Sequence, residues 1–318
     1  MRSPDLSPSR RTCNFFVRSC NTRRVHDRPG RWYARWWAVL IVLGLVLGAT
    51  AIVTVKALGL RSVVVDAKPL PQPPEGFDTR WWNDALGRWV QGDRVDYAEV
   101  LNDAPDLKRF AATLAEVGPT ATPARFQTEQ ERLSYYINAY NALTLLGVVD
   151  NWPISSVQDV RGWLNPRAGF GFFYGLRFFL DGAKTNLYDL ENGVIRGFRD
   201  ARIHAAINCA SISCPPLAPH AYDPVALEGQ LDLVTRAFCS SPVHVRVDGE
   251  AHEIRLSSIF DWYRADFEEH ARRLGRPPTV EDFIVAFAEP SVAASLEQAR
   301  EAGFEVVFQP YDWGLNQF

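Results

Sequence analysis

Between His204 and Leu217 the chain reads HAAINCASISCPPL, which places one imidazole, one side-chain amide and two thiols within eleven residues and closes on two prolines. Such a set supports three chemistries. Cys209 or Cys214 can be a nucleophile, with His204 as its base and Glu191 orienting the imidazole, because a thiol near neutral pH needs a partner to become a thiolate. Glu191, His204 and the cysteines can instead be metal ligands, since carboxylate, imidazole and thiolate all suit zinc, although H-x4-C-x4-C is not a standard zinc spacing. In the third reading the cysteines close a small disulfide ring and His204 is a core histidine; this is the default for paired cysteines in an oxidising space, and the sequence favours it without closing the other two. His204 and Asn208 are four residues apart and share a face under either helical or strand periodicity.

Other polar residues are read beside these. Arg196 can bind an anionic group, although an internal ion pair is the commoner role for such an arginine. Asn138 and Asn141 lie one turn apart on an apolar segment, where buried amides need partners; they are expected to fasten neighbouring loops, with a place in a site as the alternative. His220, His244, His252 and His270 stand among polar neighbours and read as surface residues, and Asp312 in YDWGLN reads as a cap or turn residue. No nucleophile-elbow, zinc-protease, phosphate-loop or dinucleotide motif is present.

The elements that must position these groups are mostly helical in the first half. Thr128 followed by Glu131 is a capping box that opens a helix running to about Val149. Its residues are apolar almost all round, which marks a central buried helix. TNLYDLENGVIRGF predicts a short helix capped near Asn186 and carrying Glu191 and Arg196. VHVRVDGEAHEIRL, residues 243 to 256, alternates on either side of Asp248-Gly249 as a hairpin does. TVEDFIVAFA and SVAASLEQAREAG predict helices, the second ending at Gly303, and FEVVFQPYDW a last strand. The fold class is α+β: a single mixed globular domain with a helix-rich first half and a small β-hairpin or sheet, preceded by one transmembrane helix.

Charge and hydropathy divide the chain further. Residues 1–35 carry nine arginines against Asp5 and Asp27, a net +7, so the remainder carries −10 within the overall −3. An acidic body argues against nucleic acid as a partner. Residues 36–55 are twenty residues without a charge, the length of a bilayer core, and the arginines before them place the tail in the cytoplasm and the body outside. Cleavage as a signal peptide near Ala51, within Ala49-Thr50-Ala51, is the alternative. Residues 56–77, with Pro69, Pro71, Pro73 and Pro74, read as an extended linker, and 78–318 as the extracytoplasmic domain. That orientation leaves Cys13 and Cys20 in a reducing space and Cys209, Cys214 and Cys239 in an oxidising one, an odd number in which at least one thiol is left over.

Six blocks, RVDYAEV, YYINAYNALTLLGV, LYDLENGVIRGF, RIHAAINCASISCPPL, LSSIFDWYRADF and YDWGLN, spread in order over about residues 85 to 316, together resemble the domain-of-unknown-function family five hundred and forty-seven. That family occurs in exported bacterial proteins and in plant proteins with a leucine-zipper region. The resemblance implies that Asn138, Asn141, Glu191, Arg196, His204, Asn208, Cys209, Ser213, Cys214 and Tyr222 occupy its motif positions. The chain departs from the pattern at Tyr136, Ala205 and Ala210, where the family has tryptophan, an aromatic residue and glycine. The functional expectation is a membrane-anchored extracytoplasmic protein whose polar cleft binds a peptide, glycan or envelope partner. In it Glu191, His204 and Cys209 are the candidate catalytic residues, and Asn138, Asn141, Arg196, Asn208, Cys214 and Tyr222 the candidate binding residues, with no cofactor. A cysteine-dependent hydrolase or acyl transferase is the alternative, and a zinc site the second.

Overall fold

The computed structural model describes residues 37–46, 60–161 and 169–318. The chain divides into two compact units, Met1–Ala51 and Ile52–Phe318. In the first, residues 37–46 form helix α1, whose apolar side chains, among them Trp37, Leu40, Ile41, Val42 and Leu45, are all exposed. Among the described residues no helix is long and apolar enough to cross a membrane. The rest of the expected 36–55 span, the cleavage site near Ala51 and the basic tail lie outside the described residues.

The second unit has mixed helix and sheet, as expected of an α+β domain, and its core falls into two clusters. The first surrounds α5 (Glu129–Asn151), against which pack α2 (Arg80–Trp89), α3 (Tyr97–Asn102) and α4 (Ala104–Glu116). The capping box forms: Thr128 Oγ1 accepts the Glu131 N–H at 3.1 Å, and Glu131 Oε2 accepts the Thr128 N–H at 2.8 Å. From Leu133 to Val148 the helix is buried on every side, so each polar residue it carries must find its partner inside the protein. Beside it lie the two-residue hairpin β2 (Val90–Gln91) and β3 (Arg94–Val95) and a small sheet. In that sheet β4 (Leu176–Leu180) pairs in parallel with β1 (Arg61–Ser62) and antiparallel with β5 (Ala183–Thr185).

The proline-rich stretch is extended, but it does not stand free as a spacer. Past β1 it lies along the first cluster: Val63 is buried, Leu70 and Phe77 pack on the core, and the Leu70 N–H donates to Thr113 Oγ1 at 2.8 Å.

From β5 the chain passes through α6 (Leu187–Gly193), the single turn α7 (Ile203–Ala206) and α8 (Leu227–Ser240) into the second cluster. Asn186 caps α6, its Oδ1 accepting the Asp189 N–H at 2.7 Å. Arg196 follows on a separate 3-10 turn, Ile195–Phe198, rather than on the same helix as Glu191. The expected hairpin is β6 (Val245–Asp248) against β7 (Glu253–Ser257), joined by four residues that include His252 at φ 56°. After α9 (Ser258–Trp262), α10 (Arg264–Arg273), α11 (Val280–Phe287) and α12 (Pro290–Glu301), β8 (Glu305–Gln309) returns parallel to β7, with Ile254 opposite Val306. A parallel neighbour requires a long crossover, and the four helices supply it. Phe238, Phe260, Phe267 and Phe283 form a continuous chain of ring contacts, the first pair stacked and the others tilted.

Two histidines read as surface residues belong to this second region. His244 is buried against Phe238, ring centroids 4.7 Å apart, and burial pushes its imidazole down to about 4. His270 Nδ1 accepts the Ala201 N–H at 3.2 Å. His270 stands among charged residues and His244 between Val243 and Val245, and the fold turns both rings inward.

Candidate functional site

A cleft of about 390 Å³ opens where the two clusters meet. Its first side carries Tyr140 from α5, Phe170, Phe173 and Tyr174 from a helical turn, and Tyr188 and Glu191 from α6. Its second carries Ile259, Trp262 and Tyr263 around the end of α9, with Tyr311 and Trp313 from the C-terminal segment. Arg196, His204, Cys209 and Cys214 also line it.

Glu191 is buried, and both carboxylate oxygens accept tyrosine hydroxyls: Oε2 from Tyr140 at 3.1 Å, Oε1 from Tyr263. Burial first, and then the charge of Glu191, push both phenols well above their ordinary range, so they remain protonated donors. Glu191 therefore does not orient His204. That carboxylate is Asp266 of α10, whose Oδ2 lies 2.8 Å from His204 Nε2. Asp266 also receives a bidentate pair from Arg196, Nε to Oδ2 at 2.7 Å and Nη2 to Oδ1 at 2.9 Å. Burial alone would raise the Asp266 carboxyl; the hydrogen bonds from His204 and Arg196 outweigh it and hold the group well below the usual carboxylate range. The His204 ring stacks on Tyr263 with centroids 3.9 Å apart, and Arg196 lies 5.4 Å over the same ring from its guanidinium carbon. Arg196 thus takes the internal ion-pair role.

The loop that carries the thiols is held from two directions. Asn141 reaches it from α5: its Nδ2 donates to the Ala206 carbonyl at 3.0 Å and its Oδ1 accepts the Asn208 N–H at 2.8 Å. Asn208 then closes the turn, donating from Nδ2 to the Pro215 carbonyl and accepting the Ala210 N–H at Oδ1, both at 2.8 Å. From the other side the C-terminal segment zips onto the loop. The Ile212 N–H donates to the Gly314 carbonyl, the Asn316 N–H to the Ala210 carbonyl and the Asp312 N–H to Ser213 Oγ. Asp312 is the turn residue expected, its Oδ1 accepting the Gly314 N–H at 2.8 Å. Ala210 sits at φ 60°, a conformation that favours glycine.

Cys209 and Cys214 are free thiols, not the expected disulfide. The turn that such a ring would staple is already fastened by Asn208, Asn141 and residues 312–316. The Cys209 N–H donates to Cys214 Sγ at 3.1 Å, and Cys209 Sγ lies 3.0 Å from the Tyr311 hydroxyl in a hydrogen bond in which either can donate. Both thiols line the cleft, Cys209 half-buried and Cys214 buried. The hydrogen bond from Cys214, helped by Ser211 and Tyr311 against the effect of burial, lowers the Cys209 thiol to about 7; burial and the neighbouring thiol push Cys214 well above its ordinary value. Cys239, in the second cluster, is raised by burial alone.

The structure thus brings Glu191, Arg196, His204, Cys209 and Cys214 to one cleft and leaves Asn138, Asn141, Asn208 and Tyr222 off its lining. Asn138 holds the Tyr222 backbone, its Nδ2 donating to the carbonyl at 2.8 Å and its Oδ1 accepting the N–H at 2.9 Å. Asn208 does not share the face of His204, because the helical turn ends at Ala206 and Ile207 is extended, so neither period spans the pair. Among the described residues no group of three His, Cys, Asp or Glu is placed to hold a metal ion, and Glu191 and His204 are each committed to other partners. Sequence reasoning missed Asp266, Tyr263, Trp262 and Tyr311, although each stands in or beside a block that carried the resemblance.

Residues 124–239 match the model of the family described as "Protein of unknown function, DUF547". That segment holds the three blocks with Asn138, Asn141, Glu191, Arg196, His204 and the two cysteines, and stops short of Tyr263, Asp266 and Tyr311. No curated protein and no solved structure matches the chain.

Proposed function

We propose that this chain, whose 124–239 segment is of the DUF547 family, is a membrane-anchored extracytoplasmic protein whose cleft binds an extended peptide of an envelope partner. The observation that carries the reading is the division of labour inside the cleft. Its inward polar groups are satisfied by one another: Glu191 by two tyrosines, and Asp266 by His204 and Arg196. What remains open to a ligand is aromatic surface. Trp262 stacks on Trp313 and Tyr188 on Tyr174, yet they remain exposed at 47% and 41%, a large aromatic area to leave in water. A glycan site offers many unspent donors and acceptors; a cleft walled by rings over a saturated polar floor suits apolar and aromatic peptide side chains.

The anchor is supported by the uncharged run 36–55 behind a +7 tail and by the exposed apolar side chains of α1. Protease added to intact spheroplasts is expected to digest the body; a protected body contradicts the topology.

A cysteine-dependent acyl transfer is favoured by one observation, the lowered Cys209 thiol facing the cleft. Against it, His204 Nε2 is engaged by Asp266, and the Cys209 and Ala210 amides that would cradle an oxyanion are engaged by Cys214 and Asn208. The test is tryptophan fluorescence of the full chain in detergent, titrated with a panel of aromatic-containing peptides and with oligosaccharides. Saturable quenching by peptides, lost in Trp262→Ala, is expected; a response to sugars alone, or to neither, overturns the peptide reading.

A further inference from the structure

Peptide binding leaves the two thiols of the cleft without a role. Two thiols meet at the floor of the cleft in unequal positions. Both line the cleft, Cys209 half-buried and Cys214 buried at 8% exposed, with the Cys214 sulfur taking the Cys209 N–H. The Tyr311 hydroxyl lies 3.0 Å from Cys209 Sγ, and Cys214 Sγ faces the Ile207 carbonyl at 3.9 Å. The loop between them is held in this shape without any covalent bond. A staple needs no access and no hydroxyl donor, and a core cysteine resembles Cys239, isolated in the second cluster. We propose that Cys209 and Cys214 form a redox-active dithiol that exchanges with disulfides reaching the cleft, Cys209 as the attacking sulfur and Cys214 as the resolving one.

The step balances with an external disulfide as oxidant. The Cys209 thiolate attacks one of its sulfurs; the external S–S bond breaks, a mixed disulfide forms on Cys209, and the first thiolate leaves and takes up a proton. Cys214 then gives up its proton and attacks Cys209 Sγ. The mixed bond breaks, the Cys209–Cys214 bond forms and the second external thiol leaves. Two protein thiols are oxidised and one disulfide is reduced to two thiols, and the reverse sequence reduces the pair again. Access and thiolate character assign the order, because the half-buried thiol, which is also the lowered one, attacks and the buried one completes the bond. Peptide binding is not required for this, so loss of either property leaves the other standing.

The experiment equilibrates the full chain with mixtures of reduced and oxidised glutathione at pH 7, quenches with acid and reads intact mass and peptide maps. The wild type is expected to lose two hydrogens reversibly, with the bond between Cys209 and Cys214. Cys214→Ala is expected to accumulate a glutathione adduct on Cys209 and none on Cys239, the rates differing by at least about tenfold. Rapid quenching of the wild type with excess oxidised glutathione should catch the same adduct transiently, which covers the case of a variant that fails to fold. The proposal is overturned by a wild type that keeps both thiols at every ratio, by a bond that glutathione cannot reduce, or by a first adduct on Cys214.

Discussion

The two core clusters are built differently, and the cleft between them inherits both designs. The first is organised by one helix buried on all sides, and it controls its neighbours through side-chain amides that grip loop backbone, Asn138 on Tyr222 and Asn141 on Ala206 and Asn208. The second is held by ring stacking over a three-stranded sheet, and it reaches the site through side chains, Tyr263 against His204 and Asp266 against His204 and Arg196. Amide-to-backbone bonds fix where the loop runs, while ring and ion contacts fix what the loop's side chains face. A site made this way depends on both regions, yet the family match covers the gripping helix and the loop and omits the facing wall.

The contrast has measurable consequences, the largest on the gripping side. Asn141→Ala leaves the Ala206 carbonyl and the Asn208 N–H buried without partners and should cost about 3 kcal/mol in urea unfolding. A loss under about 1 kcal/mol would mean that the loop is held from the C-terminal side alone.

In the second cluster the expected weakness is to acid. The His244 imidazole is held down to about 4 by burial, below its ordinary 6.5, so the unfolded chain takes up a proton first as the pH falls. Stability should therefore be full above about pH 6.5 and decline toward pH 4, by roughly 3 kcal/mol at most. His244→Leu should flatten that decline, and an unchanged slope would place the acid sensitivity elsewhere.

Across the junction, Asp266→Asn removes the shared anion and leaves Arg196 and His204 facing each other without it. With Asp266 partly exposed, the expected loss is about 2 kcal/mol. Below the usual carboxylate range the wild type should lose the same contribution, since the depressed carboxyl is present as an anion until the pH falls well under 4. The smallest effect is at the entrance to α5, where Thr128→Ala should cost about 1 kcal/mol by removing the cap. It should leave the thiols' behaviour unchanged.

The first region was legible in the sequence because its signals are local. The Thr128 and Glu131 cap, the all-round apolar run and the Asn186 cap each lie within a few residues and follow helical rules. The hairpin and the helices of the second region were legible for the same reason. What could not be read were contacts made across distance. Asp266 looks like any acidic residue of an exposed helix, and only the docking of α10 beside α7 gives it His204 as a partner. Glu191 was the nearer carboxylate in sequence and was assigned that place, but two tyrosines from α5 and the end of α9 take it. Asn208 was misplaced by assuming one period through a segment that changes from helix to extended at Ile207. The disulfide expectation followed from cysteine statistics, which do not register that Asn208 and residues 312–316 already close the turn.

The claim on which the rest depends is that both regions together make Cys209 the reactive group of one cleft. It is tested most directly by the rate of iodoacetamide labelling at each cysteine of the native protein, followed by peptide mass across pH 5 to 9. Cys209 should be labelled first, with a midpoint near pH 7 set by the neighbouring Cys214 and Tyr311, while buried Cys239 stays unlabelled until the protein unfolds. Equal rates at Cys209 and Cys239, or a Cys209 midpoint at the ordinary value of about 8.5, would contradict it.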